Sequence, residues 1–75
     1  MTEHHLDARG LICPLPVLKA RKVLLRLPAG DTLRVRVTDK AAPQDFRLFC
    51  AESGDILQSV QQQGDDIEVV VVRGK

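Results

Sequence analysis

Tryptophan and tyrosine are absent from this chain, and Phe46 and Phe49 are its only aromatic residues. That scarcity weakens any base-stacking route to single-stranded nucleic acid. Charge of one sign is also missing: the formal net charge is +1, so the chain as a whole is neither a nucleic-acid polycation nor an acidic mimic. No apolar run approaches the roughly 20 residues needed to span a bilayer as a helix. The opening residues Met1-Thr2-Glu3-His4-His5 lack a basic-then-apolar pattern, so no secretory signal is expected. Cysteine is scarce as well, with Cys13 and Cys50 only. Two cysteines cannot build a disulfide framework, and without a signal peptide they point to a reducing cytoplasm and free thiols. There is no Cys-x-x-Cys spacing for thioredoxin-type exchange. His4 and His5 are neighbours on a predicted strand and point to opposite faces. With the cysteines distant, they make a poor zinc pattern and read as solvated, near-terminal residues. No metal or cofactor is expected, and nothing resembles a nucleotide or phosphate motif.

What is present fits one small domain, residues 1–75. Such a domain buries only about 60% of its unfolded surface. Residues 4–8 read as a short strand with Leu6 and Ala8 on one face, and Arg9-Gly10 turns the chain. From Pro14 to Leu27 the apolar period is helical. Val17, Ala20, Val23, Leu24 and Leu27 share a face, with Lys19, Lys22 and Arg26 opposite. Pro14 suits the first helical position. Pro16 biases Leu15 away from helix, so a start at Leu15 or Pro16 stays open. Pro28-Ala29-Gly30-Asp31 should stop that helix.

Residues 32–38, TLRVRVT, alternate between Leu33, Val35 and Val37 on one face and Arg34 and Arg36 on the other. A strand with one wet face implies helices on one side of the sheet only, which excludes a doubly wound fold. A loop at 39–43 leads to a second helix, about Pro43 to Ser53, whose apolar face carries Phe46, Phe49 and Cys50. Asp45 in its first turn complements the helix dipole, and Gly54 fits just past its end. Residues 56–62 are a weak, polar strand suited to a sheet edge. Ile67–Val72 is the strongest strand and is expected to be central, forming a hairpin with its predecessor. Val70 and Val72 should point to the uncovered face, either packing with the Arg34 and Arg36 stems or marking a contact surface. The expected fold is an α+β two-layer sandwich of order β-α-β-α-β-β: a mixed four-stranded sheet with two helices on one face.

The chemistry centres on Cys13. Its place before Pro14 biases its backbone toward the conformation an N-cap needs. Helix N-termini lower cysteine pKa values, because unpaired amides and the dipole favour the thiolate. Pro14 and Pro16 remove two donors, leaving the amides of Leu15 and Val17. The expectation is a modest, rigid anion site, suited to a persulfide whose outer sulfur needs exposure. The competing reading is a small buried core residue, since free cysteine is often buried.

The run from Leu6 to Leu24 resembles the signature of the TusA-like (SirA-like) sulfur-carrier family. The resemblance rests on Leu6-Asp7, Gly10-Leu11, and Cys13-Pro14-Leu15-Pro16 as a Cys-Pro-x-Pro motif. Thr38-Asp39, Asp45-Phe46 and Phe49-Cys50 also look like the family pattern. The resemblance implies that Cys13 takes sulfane sulfur as a persulfide from a cysteine desulfurase or rhodanese-like donor. It would then pass the sulfur to an acceptor protein in a pathway such as tRNA thiolation, molybdenum-cofactor maturation or sulfur oxidation. Pro14, Leu15, Pro16 and Gly10 would shape the site. It also implies a monomer forming transient complexes, a relay more than a turnover enzyme.

Lys19, Arg21, Lys22 and Arg26 on the first helix are either a solvated face or a docking stripe for an acidic partner. With Arg34 and Arg36 on another side, the positive charge is too scattered for a nucleic-acid groove. Cys50 reads as core. Two alternatives remain open: a thiol redox module using Cys13 with Cys50, and a regulatory interaction module in which Cys13 is a structural cap. No carboxylate adjoins Cys13 in sequence, although Asp7 or Asp39 could approach it in space.

Overall fold

The computed structural model describes residues 1–74. The elements are β1 (Glu3–Ala8), α1 (Leu15–Leu24), β2 (Thr32–Val37), α2 (Ala42–Ser53), β3 (Ile56–Gln63) and β4 (Asp66–Val72). The sheet order is β1-β2-β4-β3. Strands β1 and β2 run parallel, pairing Leu6 with Val35 and Ala8 with Val37. Strand β4 is antiparallel to both β2 and β3. The apolar run IEVVVV therefore sits inside the sheet and the glutamine-rich β3 lies at its edge, as the two compositions predict. Strand β3 carries a register shift between Leu57 and Ser59, an irregularity common at edges.

Both helices pack on one face. Leu33, Val35, Val37, Val69 and Val71 line that face and are buried, together with Ala20, Leu24, Phe46 and Cys50. Helix α1 contacts β1 and β2, α2 contacts β3 and β4, and the helices touch each other. The largest wholly buried side chain is Phe46. Burial of a ring of that size contributes on the order of 2–3 kcal/mol and fixes α2 on the sheet.

The helix-free face is held by charge. Arg34 bridges Glu3 (Nε–Oε2, 2.8 Å) and Glu68 (Nη1–Oε1, 2.9 Å). Val70, the cross-strand partner of Arg34, is only 2% exposed there. Of the two readings of this valine, packing is the one observed.

Three local expectations need correction. Helix α1 ends at Leu24 instead of Leu27. The amides of Arg26 and Leu27 bond to the carbonyls three residues earlier, so the chain tightens into turns before Pro28, which disfavours helix in the residue ahead of it. Helix α1 begins at Leu15, one of the two starts left open, but its N-cap is Pro14, with no side-chain capping bond, so Cys13 lies one residue before the cap instead of forming it. His4 is half-buried, its Nε2 3.0 Å from Asp31 Oδ2, because Asp31 turns inward beneath the N-terminus and also accepts the Thr2 amide at 3.0 Å. No helix among the described residues is long and apolar enough to cross a membrane.

Candidate functional site

Parallel pairing of β1 and β2 brings their C-terminal ends together, Ala8 beside Val37. The segments leaving both strands, and the helices they feed, therefore begin at the same end of the sheet. The first of these segments holds Cys13. Gly10 turns it with φ of 79°, a conformation that disfavours residues with a Cβ. The Gly10 amide donates to Thr38 Oγ1 at 2.9 Å. The Cys13 amide donates to Asp39 Oδ2 at 2.7 Å. Asp39 Oδ1 in turn accepts the Ala41 amide at 3.0 Å, an Asx-type turn into α2. These amides, from Cys13 first and then Ala41, hold the Asp39 carboxyl below its ordinary range. One aspartate thus anchors the backbone of the cysteine and the start of the neighbouring helix. The anticipated approach of Asp39 is observed. Asp7 instead pairs with Arg9, Oδ1 to Nε at 2.9 Å.

The Cys13 side chain is half-buried. Its Sγ donates a hydrogen bond to Asp45 Oδ2, across from the first turn of α2. This overturns the expected anion site. The Leu15 amide is occupied by the Ile12 carbonyl at 2.9 Å, and the charges acting on the sulfur, those of Asp45 and Asp39, are both negative. The thiol pKa is raised, first by the bond to Asp45, then by desolvation, then by the negative charges of Asp45 and Asp39. The helix terminus is present, but a hydrogen-bonded carboxylate at contact distance outweighs a partial dipole charge that two prolines have weakened.

Exposed apolar side chains lie close to Cys13 in the chain: Ile12 at 72%, Leu15 at 49% and Leu18 at 45% exposure. Pro14 is exposed and Pro16 is buried, so the second proline of the motif roots the helix start in the core. A shallow cleft lined by Gly10, Leu11, Ile12, Thr38, Asp39 and Lys40 opens beside Cys13.

Lys19, Lys22 and Arg26 rim a groove of about 460 Å³ between α1 and β1, floored by Leu6, Val23 and Leu27. Arg21 is exposed but lies outside that lining. The basic stripe is therefore an edge to an apolar groove, a feature the helical period alone does not reveal. Cys50 is 5% exposed, and burial pushes its thiol up to about 11. It lies five residues beyond Asp45 on α2, about 7.5 Å along the axis and roughly 140° around it, directed into the core. Among the described residues, no group of three or more His, Cys, Asp or Glu side chains is placed to hold a metal ion.

Asp45 is the site residue that sequence reasoning did not assign to Cys13. Its position in a first helical turn is legible in the sequence; the parallel β1–β2 pairing is what the structure adds. Together they place the starts of both helices at one end of the sheet.

A two-layer α+β domain presenting one half-exposed cysteine between two helix starts is the class of protein defined by this fold and site. Comparison with known proteins gives the family. The profile of the family described as Sulfurtransferase TusA matches residues 4–73, and the chain belongs to that family. A Neisseria meningitidis serogroup A protein, whose name marks it as a candidate sulfur carrier, is 43% identical over 75 residues and covers both chains in full. The sulfur carrier protein TusA of Allochromatium vinosum is 35% identical over 69 residues, covering 92% of this chain and 91% of its own. The crystal structure of a SirA-like protein from Desulfitobacterium hafniense superposes with a TM-score of 0.83 at 30% identity, covering 96% of this chain and 99% of that one.

Proposed function

We propose that this protein is a sulfur carrier that holds sulfane sulfur as a persulfide on Cys13. It receives the atom from a cysteine desulfurase or a rhodanese-like donor and hands it to an acceptor protein in the cytoplasm. The observation that carries this reading is the presentation of Cys13: a half-exposed thiol whose backbone is tied to Asp39, in a chain whose relatives bear sulfur-carrier names. A carrier has to present and release an atom, and a rigid backbone with an accessible sulfur meets that need without a substrate pocket. Gly10, Pro14, Leu15 and Pro16 shape the presentation.

The groove beside α1 supports transient docking. Its apolar floor and its Lys19, Lys22 and Arg26 rim suit a partner surface with apolar side chains flanked by carboxylates. Rim charges of this kind act mainly on encounter rate and orientation. tRNA thiolation, molybdenum-cofactor maturation and sulfur oxidation are pathways such a carrier could serve.

The alternative of a Cys13–Cys50 redox pair is disfavoured by geometry. Bridging needs alpha carbons within about 7 Å and converging side chains, whereas Cys50 points into the core and Cys13 faces Asp45 at the surface.

The test is intact-protein mass spectrometry after incubating the reduced protein with a cysteine desulfurase and cysteine, and separately with a rhodanese-like donor. The wild type should gain one dithiothreitol-labile sulfur atom and Cys13→Ser none. A blank with both donors sinks the carrier reading and leaves Cys13 as part of an interaction module.

A further inference from the structure

The contact between Cys13 and Asp45 has a consequence for the loading step. An attacking sulfur must be a thiolate, yet the two carboxylates that act on this one oppose its ionisation. Asp45 faces it from α2, and Asp39 from the loop before α2. The first turn of α1, Leu15 to Leu18, supplies no charged side chain. Asp7 of β1 is turned to Arg9. Lys40, on the adjoining cleft, is exposed. The empty carrier therefore keeps its thiol protonated and unreactive toward bystander electrophiles, and the proton must leave at the moment sulfur arrives.

We propose that Asp45 is the proton acceptor for that step, which makes it a positioning and acid–base residue for loading; this rests on the carrier reading. In the step, the Cys13 Sγ–H bond breaks and the proton passes to the Asp45 carboxylate. The freed sulfur pair forms an S–S bond to the outer sulfur of a donor persulfide, R–S–SH. The donor's own S–S bond breaks, and its pair leaves on R–S⁻. The products are Cys13-S–SH, the donor thiolate and Asp45 as carboxylic acid. The single negative charge moves from carboxylate to donor thiolate. The donor cysteine sulfur is reduced as the Cys13 sulfur is oxidised, so no outside oxidant takes part. Asp45, half-exposed, then returns its proton to solvent.

A merely structural aspartate and a proton acceptor make opposite demands on Asp45→Asn, a variant of the same shape. Two rates are measured on the reduced native protein: alkylation of Cys13 by iodoacetamide across pH, and sulfur uptake from desulfurase and cysteine followed by intact mass. The variant thiol should titrate at lower pH and alkylate faster at neutral pH, by about threefold to fourfold for each unit the midpoint falls, because a larger thiolate fraction is partly offset by a weaker nucleophile. Its sulfur uptake should nonetheless slow by at least about tenfold, the low end below usual general-base contributions. Asp45→Glu, with the carboxylate retained, should restore part of the uptake rate. Three outcomes overturn the proposal: no change in either rate, both rates faster, or both slower with Glu no better than Asn. If the wild type loads normally in those cases, the carrier reading survives and only the role of Asp45 falls. If the wild type takes up no sulfur from either donor, both fall.

Discussion

Asp55 should be worth several kcal/mol to this fold while contributing nothing to the Cys13 thiol. Its side chain is fully buried at the turn from α2 into β3. Oδ1 accepts from Arg73 Nη1 and from the Gly74 amide, each at 3.0 Å, and Oδ2 accepts from Ser53 Oγ at 2.9 Å. The carboxylate thus ties the end of β4 to the α2–β3 junction. Asp55→Ala leaves the Arg73 guanidinium without its counter-charge. Breaking a buried pair costs about 3–5 kcal/mol. The Arg73 side chain keeps 18% exposure, so water can recover part of that, and about 2–4 kcal/mol is the expected loss. A domain of this size holds roughly 4–11 kcal/mol in total, so the variant should be folded but fragile. With a urea slope near 1 kcal/mol/M, at the small-protein end of the range, the midpoint should fall by about 2–4 M. Replacing Arg73 by Met as well should recover part of the loss, because the stranded charge is gone. Burial alone would raise the Asp55 pKa, but bonds from Gly74, Ser53 and Arg73 prevail and the net shift is downward from 3.8. Its stabilisation is then complete above the unfolded value and disappears as pH falls through the lower folded value. The acid limb of a stability–pH curve below about pH 4 should be shallower in the variant. A midpoint within about 0.5 M of wild type would refute this account of the C-terminal anchor.

Two further outcomes follow from the surface and the thiols. Reversing the groove rim with Lys19→Glu, Lys22→Glu and Arg26→Glu should leave the urea midpoint and Cys13 alkylation near wild type, since isolated surface changes stay within about 0.5 kcal/mol each. Sulfur uptake from a donor should slow most at low salt, where steering is strongest; equal rates at all ionic strengths would remove the groove from docking. Thiol titration with a disulfide reagent should count one accessible thiol in the native protein and a second only after unfolding, because Cys50 is 5% exposed and Cys13 half-buried. Two rapidly reacting thiols in the native state would place Cys50 wrongly.

The periods of two and of 3.6 carried the architecture. Leu33, Val35 and Val37 against Arg34 and Arg36 told which face the helices cover, and the contrast between Gln61-Gln62-Gln63 and Val69–Val72 told edge from centre. Local signals also placed Cys13 beside a helix start and Gly54 past a helix end. What they could not carry was the company of the thiol. Asp45 is 32 residues from Cys13 in the chain, and in isolation it serves its own helix dipole. Only the parallel pairing of β1 with β2 superimposes the two helix starts and sets carboxylate against sulfur. That juxtaposition opposes the anion that a helix start favours, and the Cys13 pKa is raised. Asp55 and Asp31 escaped notice for a related reason: aspartates in turns read as solvated until tertiary structure supplies Arg73, His4 and the buried amides they accept from.

The most direct test of the central claim is where the sulfur goes. The native protein, loaded by a cysteine desulfurase and cysteine, would be blocked with an alkylating reagent, digested and read peptide by peptide in a mass spectrometer. The persulfide adduct should fall entirely on the peptide containing Cys13, with Cys50 recovered as an unmodified thiol. Sulfur on Cys50, or a disulfide joining the two cysteines, would contradict the carrier account.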